Sequence, residues 1–348
     1  MKTLKKIALA PFSLLYITVV TLRHWLFDRS ILRSESFRTP IICIGNITVG
    51  GSGKSPMGEL LLEHLTKQHT VAILSRGYGR RTKGYREVMV DDSYLDVGDE
   101  PLQIKRKYPS VLVVVCEKRA VGIRQIEQIH PEVDVIIMDD GFQHRYVTPT
   151  CNIIMVDATR PTFEDLPLPA GELRDTTSSL KRANIFIVTK CPDSMSDLRR
   201  EEFRCNLLYT PQQSIYFTQI VNSLPQPIYP EIAHQFDKKN EVIALSGIGN
   251  PAPFLKTLHT LYTVIEELTY PDHHSYTERD IKKISSTISK HPRSVIITTE
   301  KDGVKFLNNN NIPNTIKQKL YHSPIHMKFI SGSKSELLKS IDSYVRKD

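Results

Sequence analysis

Ile41-Ile42-Cys43-Ile44-Gly45-Asn46-Ile47-Thr48-Val49-Gly50-Gly51-Ser52-Gly53-Lys54-Ser55-Pro56 passes from an apolar run, through closely spaced glycines, into a Lys-Ser pair. A continuous apolar run predicts a strand covered on both faces. The glycines let successive N–H groups turn toward a phosphate, Lys54 reaches the β and γ oxygens, and Ser55 opens a helix where its hydroxyl holds Mg²⁺. Thr48, Val49, Gly50, Gly51, Ser52, Gly53, Lys54 and Ser55 are therefore the candidate nucleotide-binding residues. The stretch departs from G-x-x-x-x-G-K-[ST] once, because Thr48 stands at the first glycine position.

Apolar, β-branched runs recur along the chain at 41–47, 70–74, 111–116, 133–138, 151–157, 184–189, 241–245 and 294–299, with helical patterns between them. That alternation predicts an α/β, P-loop NTPase-like fold, a mostly parallel sheet with helices on both faces. Residues 39–191 form the expected P-loop core. Residues 192–240, rich in proline and polar residues, are expected to link it to a smaller C-terminal α/β lobe at 241–348. The run ending Ile136-Ile137-Met138-Asp139-Asp140 adds the carboxylates that a nucleotide site uses to position its metal. Two adjacent acids at a strand end repel one another unless a cation or a lysine sits nearby. Gly98-Asp99-Glu100-Pro101, taken alone, reads as a helix N-terminal cap.

The 348 residues carry a net charge of +8, and five of those charges fall within residues 1–38, where seven Lys/Arg face Asp28 and Glu35. No basic stripe interleaved with aromatics runs through the body, so nucleic acid is not an expected partner, and nothing points to a protein partner. Five cysteines without a C-x-x-C pair indicate neither a zinc module nor a disulfide framework, and suggest a reducing compartment. Ile7 to Leu22 is uncharged, with basic residues at both ends and Phe12, Tyr16, Trp25 and Phe27 in or near it. It is short for a spanning helix, and Arg23-His24-Trp25 follows where a secretory signal would have its cleavage site. Residues 1–38 therefore read as a membrane-associated helical segment lying against an anionic surface, the alternative being a buried terminal helix.

With Asp139-Asp140-Gly141-Phe142-Gln143-His144-Arg145 the chain resembles the tetraacyldisaccharide 4′-kinases, the lipid A 4′-kinases of Gram-negative inner membranes. The resemblance runs nearly end to end. It takes in the glycine stretch, Thr48 included, Ser75-Arg76-Gly77-Tyr78-Gly79-Arg80, Gly98-Asp99-Glu100-Pro101, Lys118-Arg119, Leu168-Pro169-Ala170-Gly171-Glu172-Leu173-Arg174, Asp272-His273-His274 and Thr299-Glu300-Lys301-Asp302. It implies transfer of the γ-phosphate of ATP to the 4′-hydroxyl of a tetraacylated glucosamine disaccharide 1-phosphate, giving lipid IVA. The site implied is the cytoplasmic face of the bacterial inner membrane, with the enzyme held peripherally or monotopically.

Phosphoryl transfer to a hydroxyl needs a base, and the resemblance implies Asp99, supported by a histidine of Asp272-His273-His274. We take His273. Lys54 is expected to neutralise the transferred group, and Ser55 with one of Asp139, Asp140 and Glu100 to complete a Mg²⁺ shell. Gln143, His144, Arg76, Arg119, Glu172 and Arg174 are candidates for the sugar or for phosphates, because guanidinium matches phosphate in a two-pronged geometry. Thr299-Glu300-Lys301-Asp302 faces the adenine or braces the lobes. Two rivals remain: a GTPase or ATPase switch reading guanine through Thr189-Lys190-Cys191-Pro192-Asp193 and Thr299-Glu300-Lys301-Asp302, and a soluble small-molecule kinase.

Overall fold

The computed structural model describes residues 2–307 and 311–346. Helix α1 (Lys2–Asp28) leads to strand β1 (Ile41–Gly45), and the glycine turn hands the chain to α2 (Lys54–Leu65). There follow β2 (Val71–Ser75), β3 (Arg86–Glu87), α3 (Tyr94–Val97), α4 (Asp99–Lys107), β4 (Leu112–Val115), α5 (Arg119–Ile129), β5 (Val135–Asp139), β6 (Cys151–Asp157), β7 (Ile185–Thr189), α6 (Asp197–Leu207) and β8 (Ser214–Asn222). The rest of the chain forms β9 (Gln226–Pro227), β10 (Glu241–Ser246), α7 (Ala252–Leu261), β11 (Thr263–Thr269), α8 (Glu278–Lys290), β12 (Val295–Thr299), α9 (Glu300–Leu307), α10 (Asn314–Lys317), β13 (Leu320–Ser323), β14 (Ile325–Ser331) and α11 (Lys334–Val345).

Nine strands build the first sheet in the order β14-β8-β7-β6-β1-β5-β2-β4-β3, parallel except where β14 meets β8 and β3 meets β4. The alternation within β1 explains why both faces are covered. Ile42 and Ile44 pack with Met57 and Leu61 of α2, while Ile41 and Cys43 pack on the other side with Ile154, Phe186 and Phe203. β1 lies between β5 and β6, with Ile44 in register with Asp139. The glycine turn and the acidic strand end therefore emerge side by side at the carboxyl edge of the sheet, where open α/β sheets bind their ligands.

The second sheet runs β11-β10-β12-β13-β9, parallel apart from β9. The division at 192–240 and 241–348 differs from this arrangement. The supposed linker contains α6 and β8, and β8 pairs along β7 inside the first sheet. β14 and α11 also return there: β14 pairs with β8, and Leu337, Ile341 and Val345 join the core around α2. β8 is hard to read because Thr218 and Gln219 interrupt its apolar run. Both are buried, and they are satisfied by the Val188 carbonyl and by Asp193. The lobes are tied by Lys107 of α4, whose Nζ lies 2.8 Å from Glu59 on α2 and 2.9 Å from Glu300 on α9.

Candidate active site

The glycine turn closes tightly over the end of β1. A Cβ on Gly45 would sit 2.5 Å from Phe142 Cβ, so only glycine lets the 140–143 segment approach this closely. Gly53 caps α2 in the left-handed region at φ 87°, a conformation glycine adopts without strain. Asn46, fully buried, holds the turn from within: its Nδ2 donates to Ser52 Oγ at 2.9 Å and to Thr48 Oγ1 at 3.4 Å. Lys54 Nζ reaches Asn46 Oδ1 at 3.5 Å and Asp140 Oδ1 at 3.6 Å, and Ser55 stands exposed beside it.

Asp139 and Asp140 are in different electrostatic states. Burial pushes the Asp139 carboxyl up, and Glu100 and Asp140 add to the effect. Burial also opposes the charge on Asp140, but the Arg174 guanidinium and Lys54 overcome it and hold the group down to about 2. Arg174 grips both Asp140 oxygens and the side chain of Asn46. Asp139 lines a small cleft together with Lys54, Ser55, Glu59 and Glu100.

Across that cleft, Asp99 opens α4 and is almost wholly buried. Its Oδ1 accepts the Glu100 N–H at 2.9 Å, its Oδ2 meets His273 Nδ1 at 3.0 Å, and Lys301 Nζ lies 3.8 Å from Oδ2. Burial resists ionisation of Asp99, yet the hydrogen bond from His273 and the charge of Lys301 hold it below the usual carboxylate range. The same hydrogen bond raises His273 above an ordinary imidazole. Lys301 Nζ also reaches Glu100 at 3.3 Å and His273 Nε2 at 3.4 Å. His274 turns away to Asp280, at 3.0 Å. Asp99 therefore keeps its place in a helix first turn while also facing a histidine from the other lobe.

The remaining candidates divide in two. Arg76 is exposed; burial first, then the charges of Arg119 and Arg76, push the partly covered His144 down to about 4, so His144 is a neutral imidazole beside cations. The others are engaged within the protein. Gln143 Nε2 donates to the Asn46 carbonyl at 2.9 Å, Arg119 donates to the Cys116 and Asp139 carbonyls, and Arg174 is committed to Asp140. Glu172 pairs with Arg160 at the glycine turn, and its carbonyl accepts the Val49 N–H. Sequence reading passed over Asn46, although it follows the strand directly, and assigned Lys301 no catalytic neighbours.

The Thr299-Glu300-Lys301-Asp302 segment braces the lobes, through Glu300 to Lys107 and Lys301 to Glu100. Its Asp302 is occupied by the Gly247 N–H, Thr299 and Lys305, and Asp193 by Gln219 at 2.7 Å. Both carboxylates suggested for reading guanine are thus taken up inside the protein.

Helix α1 docks on the same loops. Ser13 Oγ donates to the Pro167 carbonyl at 3.0 Å, Tyr16 to the Arg174 carbonyl at 2.9 Å and Arg23 to the Gln143 carbonyl at 2.9 Å. His24 Nε2 meets the buried Asp175 at 2.5 Å. Ala8–Asp28, 21 residues with a mean hydropathy of 1.3, is long and apolar enough to cross a membrane. Phe12, Leu14, Leu15, Val19, Leu22 and Trp25 are exposed on it.

A family model described as tetraacyldisaccharide-1-P 4′-kinase matches residues 5–346. The tetraacyldisaccharide 4′-kinase of Phocaeicola vulgatus is 38% identical over 348 residues, covering 98% of this chain and 95% of that protein. The protein of the same name from Bacteroides thetaiotaomicron is 36% identical over 354 residues, covering 98% and 93%. Among solved structures, the LpxK of Aquifex aeolicus in complex with ATP superposes with a TM-score of 0.76 at 27% identity, covering 98% of this chain and 99% of that one. On these matches, the chain belongs to the tetraacyldisaccharide 4′-kinase family.

Proposed function

We propose that this chain transfers the γ-phosphate of ATP to the 4′-hydroxyl of a tetraacylated glucosamine disaccharide 1-phosphate, forming lipid IVA for lipid A. The observation that carries this reading is the Asp99–His273 pair, whose neighbour Glu100 lines the same cleft as Lys54, Ser55 and Asp139. Asp99 is ionised at neutral pH and is oriented by the Glu100 N–H and His273. It accepts the proton of the sugar hydroxyl as the new P–O bond forms, and the basic imidazole beside it supports that transfer. Lys54 offsets charge on the phosphoryl oxygens.

Mg²⁺ fits this site. Among the described residues no three His, Cys, Asp or Glu side chains form a closed metal cage. Mg²⁺ needs none, since it binds through one or two carboxylates plus substrate phosphates and water. Asp139, raised by burial and by Glu100 and Asp140, sits where a cation relieves the repulsion. Ser55, Asp139 and Glu100 would hold the ion, because Asp140 is already neutralised by Arg174 and Lys54. When bound, Mg²⁺ neutralises the β and γ oxygens.

The acyl chains explain the first helix. Lifting a tetraacylated lipid out of a bilayer costs about 0.8 kcal/mol per CH₂ exposed, so the enzyme works at the surface. One side of α1 is fixed to the loops at 143 and 167–174, which leaves its apolar side to enter the interface of an anionic leaflet. We place the enzyme on the cytoplasmic face of the inner membrane, where ATP is available. Arg76 and His144 remain directed to the sugar or its 1-phosphate. The test is incubation with γ-labelled ATP, Mg²⁺ and the acylated disaccharide 1-phosphate in mixed micelles. Label in a lipid bis-phosphate supports the reading, and label released only as inorganic phosphate contradicts it.

A further inference from the structure

Three carbonyls of the glycine turn are held from outside it. Thr189 Oγ1 donates to the Ser52 carbonyl at 2.9 Å, Lys190 Nζ to the Gly51 carbonyl at 2.5 Å, and Arg160 Nη2 to the Val49 carbonyl at 3.3 Å. In a trans peptide the N–H points opposite to its C=O. Each of these outer bonds therefore turns one N–H, that of Gly53, Ser52 or Gly50, toward the other side of the turn. None of the N–H groups of Gly50, Gly51, Ser52 and Gly53 donates to a main-chain carbonyl among the described residues. The N–H groups of Gly50, Ser52 and Gly53, opposite the three held carbonyls, have the arrangement of an anion-binding nest fixed by its outer contacts.

The lysine is aimed with care. Asp157, buried at the end of β6, takes its ammonium at 2.6 Å, while the other Asp157 oxygen accepts from the Thr159 N–H at 2.9 Å and from Thr159 Oγ1 at 2.6 Å. Lys190 has φ 55°, the left-handed region that non-glycine residues seldom enter, and there the chain leaves β7 in a turn beside the glycine loop. A glycine-rich segment without such anchors samples many peptide orientations, and a ligand must select the competent one at a cost in affinity. Thr189 and Lys190, which at first resemble a base-reading motif, are placed for a different task.

We propose that Thr189 and Lys190 strap the glycine turn from behind, setting its peptide planes for the triphosphate, with Lys190 a positioning residue that acts through the Gly51 carbonyl. The inference rests on the reading that the nucleotide occupies this turn. The test uses the full chain with Lys190→Met, Thr189→Val, the paired change Asp157→Asn with Lys190→Met, and Lys190→Arg. ADP affinity is measured by calorimetry, and KM for ATP and kcat by the transfer assay. The paired change avoids a stranded buried carboxylate, and Thr189→Val keeps the side-chain shape. Losing one charged hydrogen bond to the turn is expected to weaken ADP and raise KM for ATP about tenfold, and losing the neutral one about fivefold. At saturating ATP, kcat stays within about threefold of the parent, and Lys190→Arg recovers most of the affinity because it keeps a donor. Parental ADP affinity in both Thr189→Val and the paired variant overturns the strap, as does a fall in kcat with unchanged nucleotide affinity. A Lys54→Ala control separates the two readings. If it leaves ADP affinity at the parental value, the nucleotide lies elsewhere and the underlying assignment fails with the strap.

Discussion

His273 Nδ1 lies 3.0 Å from Asp99 Oδ2, although 174 residues separate them along the chain. The contact joins the first helix turn after Gly98 to a loop of the second sheet, so the proposed base and its proposed support come from different lobes. Removing the carboxylate should abolish proton acceptance without touching the glycine turn. Asp99→Asn is expected to lower kcat by about 10²–10⁴ while ATP affinity stays within about twofold. Steady-state kinetics alongside a nucleotide titration check this; unchanged turnover at saturating substrate removes Asp99 from the base role.

The pair also predicts the acid side of the pH profile. His273 and Lys301 hold Asp99 below the usual carboxylate range against its burial, so the parent keeps Asp99 ionised to lower pH than an ordinary carboxylate. In His273→Asn the burial acts with less opposition, Asp99 titrates at higher pH, and the acid limb of kcat/KM moves upward. Rates measured from pH 4 to 8 in a constant-ionic-strength buffer should show that displacement. A limb that stays in place or moves to lower pH contradicts the coupling.

Lys301 touches Asp99, Glu100 and His273 from the second lobe. Lys301→Met should therefore disturb chemistry more than nucleotide binding, with kcat falling about tenfold to hundredfold and KM for ATP changing by less than about threefold. Kinetics over a range of ATP concentrations decide the point. A dominant rise in KM would instead put Lys301 against the nucleotide.

Deleting α1 would mix two effects, because Ser13, Tyr16 and His24 fix it to the body. Replacing Phe12, Leu15, Val19 and Leu22 by serine alters only exposed positions. The expected result is partition into anionic vesicles reduced at least about tenfold, with the melting temperature nearly unchanged. A flotation assay and a thermal melt measure both. Full vesicle binding in the substituted protein contradicts the interfacial role.

The glycine turn and the Asp139-Asp140 strand end are legible in sequence because each is local: a strand, its breakers and its charged residues lie in one stretch. Long-range partners are not. Asp99 alone satisfies the rules of a helix cap, and only family resemblance connected it to His273. Arg119, Gln143 and Arg174 illustrate a second reason. A guanidinium or an amide meets a carboxylate or a main-chain carbonyl of its own protein as readily as a phosphate, and here the internal partners at Asp139, Asn46 and Asp140 take them. The lobe boundary was hidden for a third reason. β8 carries buried polar residues paid for by tertiary hydrogen bonds, and β14 crosses back after the second sheet, which no local pattern announces.

The central claim is that one nucleotide sits on the glycine turn with its last phosphate directed at a sugar hydroxyl activated by Asp99. A crystal structure with Mg²⁺ and a non-hydrolysable ATP analogue tests it most directly. The account predicts the triphosphate along residues 50–55, Lys54 Nζ on the γ-phosphate, and Asp99 with His273 facing that phosphate across the cleft. A triphosphate lodged away from the turn, or a γ-phosphate pointing away from Asp99, would contradict it.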